Sequence, residues 1–257
     1  TAIEPREGEP PVGRTVVRIL ANARELVLGV ECFDPDPSGI VSFSKARDAE
    51  LGSEDHVKVI FDTFLDGRSG YIFAVNAGGA RYDALVANQG EGEAREWDTV
   101  WEAATARTGD GWSAEIRIPI QSLAFREGAT EWGFNVQRRL QRLLETSRWA
   151  SPRRDAKISQ ASRAGRLTGL PRFDLGIGLT VRPTVVGGME KLSPADPRDG
   201  RFEPSLDLLQ RLGPNAVAAV TVNTDFAETE VDARRTNLTR FSLFFPEKRT
   251  FFLEGSD

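Results

Sequence analysis

The sequence predicts an all-β protein: an antiparallel β-sandwich with jelly-roll or Ig-like layers, followed by a few strands of a membrane-barrel-like domain. Three observations carry this. Short apolar/polar alternations recur up to residue 170, separated by Gly-, Pro- and Asp-rich turns. No apolar pattern with a helical period runs for a useful length in that region. Beyond residue 170 the alternation lengthens: Ile177, Leu179, Val181, Pro183 and Val185 point one way, and Gly178, Thr180, Arg182 and Thr184 the other.

Residues 1–14 are rich in Pro, Glu and Gly and read as an opening segment rather than a strand. Strands are expected near 15–20, 25–33, 55–62, 70–77 and 80–86. FDPDPSG (33–39) and FLDGRSG (64–70) are turns, because Pro presets φ and Gly tolerates positive φ. The stretch 96–139 holds four of the five tryptophans. Within it a hairpin turns over Thr108-Gly109-Asp110-Gly111, with Trp101, Ala103 and Thr105 on one strand and Trp112, Ala114, Ile116 and Ile118 on the other. Pro119 ends the second strand, and a short helical turn (121–125) leads to a strand over 131–141. There Trp132, Phe134 and Val136 alternate with Gly133, Asn135 and Gln137, so Asn135, Gln137 and Arg139 share the polar side. Trp112, Trp132 and Trp101 are expected in the core, and Trp97 at a rim. A short strand (165–170) and Pro171 close the first domain, 1–170, and the second runs over 171–257. Strands near 204–212 and 215–223 follow, joined around Gly213-Pro214. They fit an outer-membrane barrel, or a soluble hairpin packed on the sandwich.

The 257 residues are 40% hydrophobic and 28% charged with a net charge of −5, which suits a soluble surface and gives nucleic acid no attraction. Cys32 is the only cysteine, so there is no disulfide framework and no CxxC metal site, and it reads as a core filler. His56, the only histidine, is expected on the solvent face; alone, it excludes a histidine-clustered zinc and a Ser-His-Asp triad. No apolar run reaches 18 residues, which excludes a membrane-spanning helix but not a barrel. The start TAIEPREGEPP has no basic or apolar leader region, so any signal peptide is expected to lie outside this sequence.

The run from Leu26 to Ala84, then 98–125, WGFNVQRR (132–139) and AGRLTGL (164–170), resembles the family 9 carbohydrate-binding module, a DOMON-like sandwich found at the front of large bacterial outer-membrane proteins. The tail from Val222 to Gly255, with FFPEKRTFFLEG, resembles the barrel-associated domain of unknown function that follows it there. The usual opening strand precedes residue 1 and most of the barrel would follow Asp257, so a fragment or shortened relative is expected.

The resemblance implies a bacterial envelope protein, outer-membrane or periplasmic, that binds a polysaccharide or oligosaccharide for carbohydrate catabolism and is not itself catalytic. It also implies a sugar held between tryptophans and hydrogen-bonded by Glu, Arg, Gln and Asn, which maps onto Gln137 and Trp149. Asn135 and Arg139 join them because amides and guanidinium groups match adjacent hydroxyls. The acidic and arginine positions of the family are here Lys58 and Ala74. The rival readings are a structural or protein-interaction module and a glycoside hydrolase or its accessory unit. Glu102 and Glu115 lie on facing strands, and hydrolysis needs two carboxylates roughly 5–10 Å apart. The resemblance implies structural calcium, with Asp62 and Asp66 as first candidates and Asp34 and Asp36 behind them. Eight arginines and Lys157 between 137 and 166, against Glu145 and Asp155, suggest contact with an anionic polymer or lipid head groups.

Overall fold

The computed structural model describes residues 1–90, 92–175, 178–190, 199–211 and 217–223. The chain divides into two compact units, Thr1–Leu175 and Gly176–Asp257.

The first unit is an antiparallel β-sandwich. Its strands are β1 (Ala2–Glu4), β2 (Thr15–Ala21), β3 (Glu25–Phe33), β4 (His56–Asp62), β5 (Gly70–Asn76), β6 (Arg81–Ala87), β7 (Gly92–Ala94), β8 (Glu102–Thr108), β9 (Gly111–Pro119), β10 (Glu131–Leu140), β11 (Glu145–Arg148) and β12 (Gly165–Thr168). One sheet has the order β1-β11-β10-β4-β5-β6-β7, with β12 beside β10; the other has the order β2-β3-β9-β8. Strands β11 and β12 flank the same strand in tandem: β11 pairs with Gln137–Leu140 and β12 with Glu131–Phe134. The chain therefore leaves the sheet at Trp149 and returns at Gly165.

The alternations expected on β3, β9 and β10 are all present. Leu26, Leu28, Val30 and Cys32 on β3 are buried, as are Trp112, Ile116 and Ile118 on β9. The hairpin turn is Gly109-Asp110, and Gly111 stands at φ 150° with no room for a Cβ, which would meet the Cys32 carbonyl. Trp101 is buried and donates from its indole to Asp83 at 2.9 Å. Trp97, expected at a rim, is buried at 2% exposure: its ring packs on Tyr71 at 5.1 Å and Phe73 at 6.5 Å, and so joins the core. Three short strands had no sequence signal. Ala2–Glu4, inside the expected opening segment, pairs with β11, β11 itself pairs with β10, and β7 pairs with β6; strands of three or four residues are too short to show a period.

A larger departure concerns the outward face of the bigger sheet, which alternation alone would leave in water. Ile60, Ile72, Ala84 and Val86 sit there and are fully buried, beneath a cover that includes Leu51, Ile158 and Ala161 from the loops. The central strands are thus buried on both faces, and β5 is buried at every position. The near-continuous apolar run in KVIFD and YIFAV is what a doubly covered strand requires.

The second unit presents β13 (Leu179–Glu190), β14 (Asp199–Arg211) and β15 (Val217–Val222) as an antiparallel sheet. The register Val181↔Leu208↔Val220 and Pro183↔Leu206↔Val222 makes one face apolar, whereas Arg182↔Asp207↔Thr221 belongs to the other. The Gly213-Pro214 turn and the FFPEKRTFFLEG tail lie outside the described residues.

Candidate functional site

Strand β10 carries two different surfaces. Asn135, Gln137 and Arg139 point outward, while Phe134, Val136 and Arg138 point toward the other sheet.

On the outward face, register aligns Arg148, Gln137, Lys58, Ala74 and Tyr82 in one row across five strands. Each polar group in the row is already engaged. Gln137 Oε1 accepts from Arg148 Nε at 3.1 Å and Nη2 at 2.6 Å, while Arg148 Nη1 donates to the Ala156 carbonyl at 2.8 Å. Lys58 Nζ is 3.2 Å from Glu93 Oε2 and lies over the Tyr82 ring, with the Arg95 guanidinium 4.6 Å from that same ring. Burial acts against the Lys58 ammonium, but Tyr82 and Glu93 overcome it and raise its pKa.

Asn135 is buried and clamps the backbone of Ala150, donating to its carbonyl at 3.0 Å and accepting from its N–H at 2.9 Å. Arg139 is tied to Glu4, Gln141, the Leu144 carbonyl and Thr146. The expected polar row is present, but Asn135, the Gln137 Oε1 and Arg139 are engaged within the protein. His56, expected in solvent, lies on this face too and is buried; desolvation pushes its pKa down to about 4.

The inward face opens to solvent along the β2 edge. Thr15, Val17 and Ile19 of β2 are half-buried, although their β3 partners Cys32, Val30 and Leu28 are fully covered. With Phe134, Val136 and Arg138 they line a groove of about 510 Å³, within the usual range for small-ligand sites. Trp149 forms part of its wall and is 54% exposed. The indole is seated, not loose: Phe134 backs it at 5.8 Å, and its backbone N–H donates to the Val136 carbonyl at 3.0 Å. A Cβ on Gly165 would stand 2.5 Å from the ring, so a side chain there would push the indole from its seat. Trp149 and Gln137, expected side by side, therefore lie on opposite faces of the sheet. The odd-even step between Arg148 and Trp149 at the end of β11 separates them.

Arg138 is the most unusual group in the groove. It is 2% exposed and occupies a position that β10 otherwise fills with apolar side chains. Its Nη1 donates to the carbonyls of Phe33 at 2.8 Å and Arg14 at 3.1 Å, while Nε and Nη2 have no hydrogen-bond partner among the described residues. Continuing the Trp132-Phe134-Val136 alternation by one step would have found it.

The remaining candidates resolve into structural roles. Asp62 accepts from the backbone N–H groups of Asp66 and Gly67, and Asp66 from those of Arg68 and Ser69 and from the Ser69 hydroxyl. All four carboxylate oxygens face donors of their own turn, so the pair fits a turn cap and does not fit a calcium shell. Asp34 accepts from the Asp36 N–H and pairs with Arg142. A tighter acidic group was not foreseen: Asp48, Asp83 and Asp98 bring ligand oxygens within 4.8 Å of one another. The Arg47 guanidinium already occupies the position a cation would take, at 2.6 Å from Asp83 and 2.7 Å from Asp98. Burial, then the neighbouring Asp98 carboxylate, lifts Asp48 to about 6.

Glu102 lies opposite Arg117, and Glu115 opposite Ala104 and Gly29, all on the exposed side of the smaller sheet. The arginines of 137–166 do not form one patch either. Arg138 and Arg148 are buried, and Arg139, Arg142, Arg153 and Arg166 each pair with a carboxylate.

No family model matches the chain, and no curated protein matches it. Among solved structures, a Bacteroides uniformis protein put forward as carbohydrate-binding is similar with a TM-score of 0.50 at 13% identity, over 61% of this chain and 78% of that one. A family 9 carbohydrate-binding module from Caldicellulosiruptor kristjanssonii, in complex with glucose, gives a TM-score of 0.48 at 16% identity over 69% and 87%. The same organism's module with cellotriose gives 0.46 at 16% identity over 69% and 86%. The first likeness shows a shared sandwich fold.

Proposed function

We propose that the first unit is a non-catalytic carbohydrate-binding module whose ligand stacks on Trp149 in the β2–β10 groove. The observation that carries this reading is the presentation of Trp149: a rigidly backed indole, more than half exposed, beside an apolar groove of ligand size. Sugar rings offer flat C–H faces that aromatic side chains accept. The shared fold with a Bacteroides uniformis protein put forward as carbohydrate-binding supports the reading. Of the four binding residues expected from sequence, Trp149 remains in the site; Gln137, Asn135 and Arg139 hold the sheet and its connections together.

The envelope setting belongs to the same proposal. In the second unit Leu179, Val181, Val185, Phe202, Val220 and Val222 are exposed on one face, the outward-apolar pattern of barrel strands in an outer membrane.

Calorimetric titration with neutral and acidic oligosaccharides tests the binding role. Saturable heat in the wild type that weakens roughly 5- to 150-fold in Trp149→Ala, for the loss of about 1–3 kcal/mol with the indole, is the expected result. A folded protein that gives no heat with any glycan would make the sandwich an interaction module instead.

A further inference from the structure

We infer that the free edge of β2 receives an extended peptide as an added antiparallel strand, which lies along the groove and covers Trp149. This goes beyond the saccharide reading and makes the two ligands mutually exclusive.

Strand β2 ends its sheet, with β3 on one side and, among the described residues, no strand on the other. Its hydrogen-bonding phase is fixed at both ends: the Phe33 N–H donates to the Arg14 carbonyl at 2.9 Å, and the Asn22 N–H to the Glu25 carbonyl at 3.1 Å. Bonded and non-bonded pairs alternate along an antiparallel ladder. Val16, Arg18 and Leu20 therefore spend their backbone groups on β3, whereas Thr15, Val17, Ile19 and Ala21 turn theirs to the open edge. Of these, Thr15, Val17 and Ile19 also line the groove with their side chains. An occupant that satisfies this edge must offer N–H and C=O groups every second residue, about 6.8 Å apart, with apolar groups beside them. An extended polypeptide does both.

The larger sheet supplies the space. The groove is lined from β10 by Phe134 and Val136, and from beyond β10 by Ser147, Trp149 and Leu167, so that sheet runs on past β2 as a shelf. A second copy pairing through its own β2 would bring its larger sheet into the layer this shelf fills, so the occupant is a free strand. The remaining edges of the first unit are guarded. Strands β1, β7 and β12 have three or four residues, and β8 carries Glu102 and Arg107, the latter held to the Ile40 carbonyl at 3.3 Å. By contrast β2 has seven residues, no proline, no register shift, and no charge at its four outward-bonding positions.

The test is a calorimetric titration of the whole 257-residue chain with the acetylated, amidated heptapeptide Lys-Val-Thr-Val-Thr-Val-Lys. Paired with β2, its valines enter the groove and turn their N–H groups to the edge. The peptide should bind, and N-methylation of the valines should weaken it about tenfold or more. N-methylation of the threonines, whose N–H groups point away, should change it less than about threefold. Val17→Pro removes an N–H that β3 does not use and should abolish binding, while a circular-dichroism melt shows the sandwich folded. Bound peptide should also suppress the heat of cellotriose binding. Equal affinity for the valine-methylated peptide, normal binding by Val17→Pro, or a concentration-dependent dimer that Val17→Pro abolishes would overturn the assignment, the last giving the edge to a second copy. Glycan binding without peptide binding removes this inference and leaves the saccharide reading; peptide binding without glycan binding does the reverse.

Discussion

The two faces of β10 make opposite use of similar chemistry. Outward, Asn135, Gln137 and Arg139 have the functional groups of a sugar site, but each is satisfied by a backbone or side-chain partner. Inward, an apolar surface carries one buried guanidinium with two unmatched donors, next to an exposed tryptophan. A binding site needs capacity left over after folding, and residue type alone does not reveal it. The outward face, rich in polar groups, functions as a second core, and the inward face at its open edge presents the exposed Trp149.

The sharpest way to break that comparison is to test whether the outward face is core. Ile72→Ala, at a fully buried outward position, should lower stability by about 2–5 kcal/mol in chemical denaturation. A change within about 0.5 kcal/mol, as surface substitutions give, would mean that the loops do not cover it.

His56 gives a second, pH-dependent test of the same face. Its folded pKa of about 4 lies below the unfolded value, so the unfolded chain takes up the proton first. The stability associated with neutral His56 is complete above about pH 6.5 and is lost as pH falls toward about 4. The loss over that window is about 3 kcal/mol. The raised pKa values of Asp55 and Asp83 act in the opposite direction, so the comparison is with His56→Gln, whose melting temperature should fall less over the same range.

The smallest effect on glycan binding is expected from Gln137→Ala. It strips the shared acceptor from Nε and Nη2 of the buried Arg148 and should cost roughly 1–3 kcal/mol of stability while leaving glycan affinity within roughly twofold. A large loss of affinity would return the site to the outward row.

Most of the sandwich was legible in the sequence, because period-two alternation and Gly-Asp turns are local signals. The expected strands 15–20, 25–33 and 55–62 match β2, β3 and β4 to within a residue. The cover over Ile60 and Ile72 was not legible. It comes in part from Leu51, Ile158 and Ala161, which lie in connections without a period, the last two about a hundred residues further along the chain. The sequence places Trp149 beside Gln137, whereas the two lie on opposite faces, because β11 is too short to show its phase. Arg138 was within reach: a guanidinium in the apolar phase of a strand calls for an explanation.

The central claim is that ligand enters the inward groove, and the backbone and indole amide signals of the labelled protein report on it most directly. On titration with an oligosaccharide, the Trp149 indole and the amides of Val17, Ile19, Phe134 and Val136 should shift together while those of Lys58, Ala74 and Gln137 stay in place. Shifts centred on Lys58, Ala74 and Gln137, with Trp149 unmoved, would contradict it.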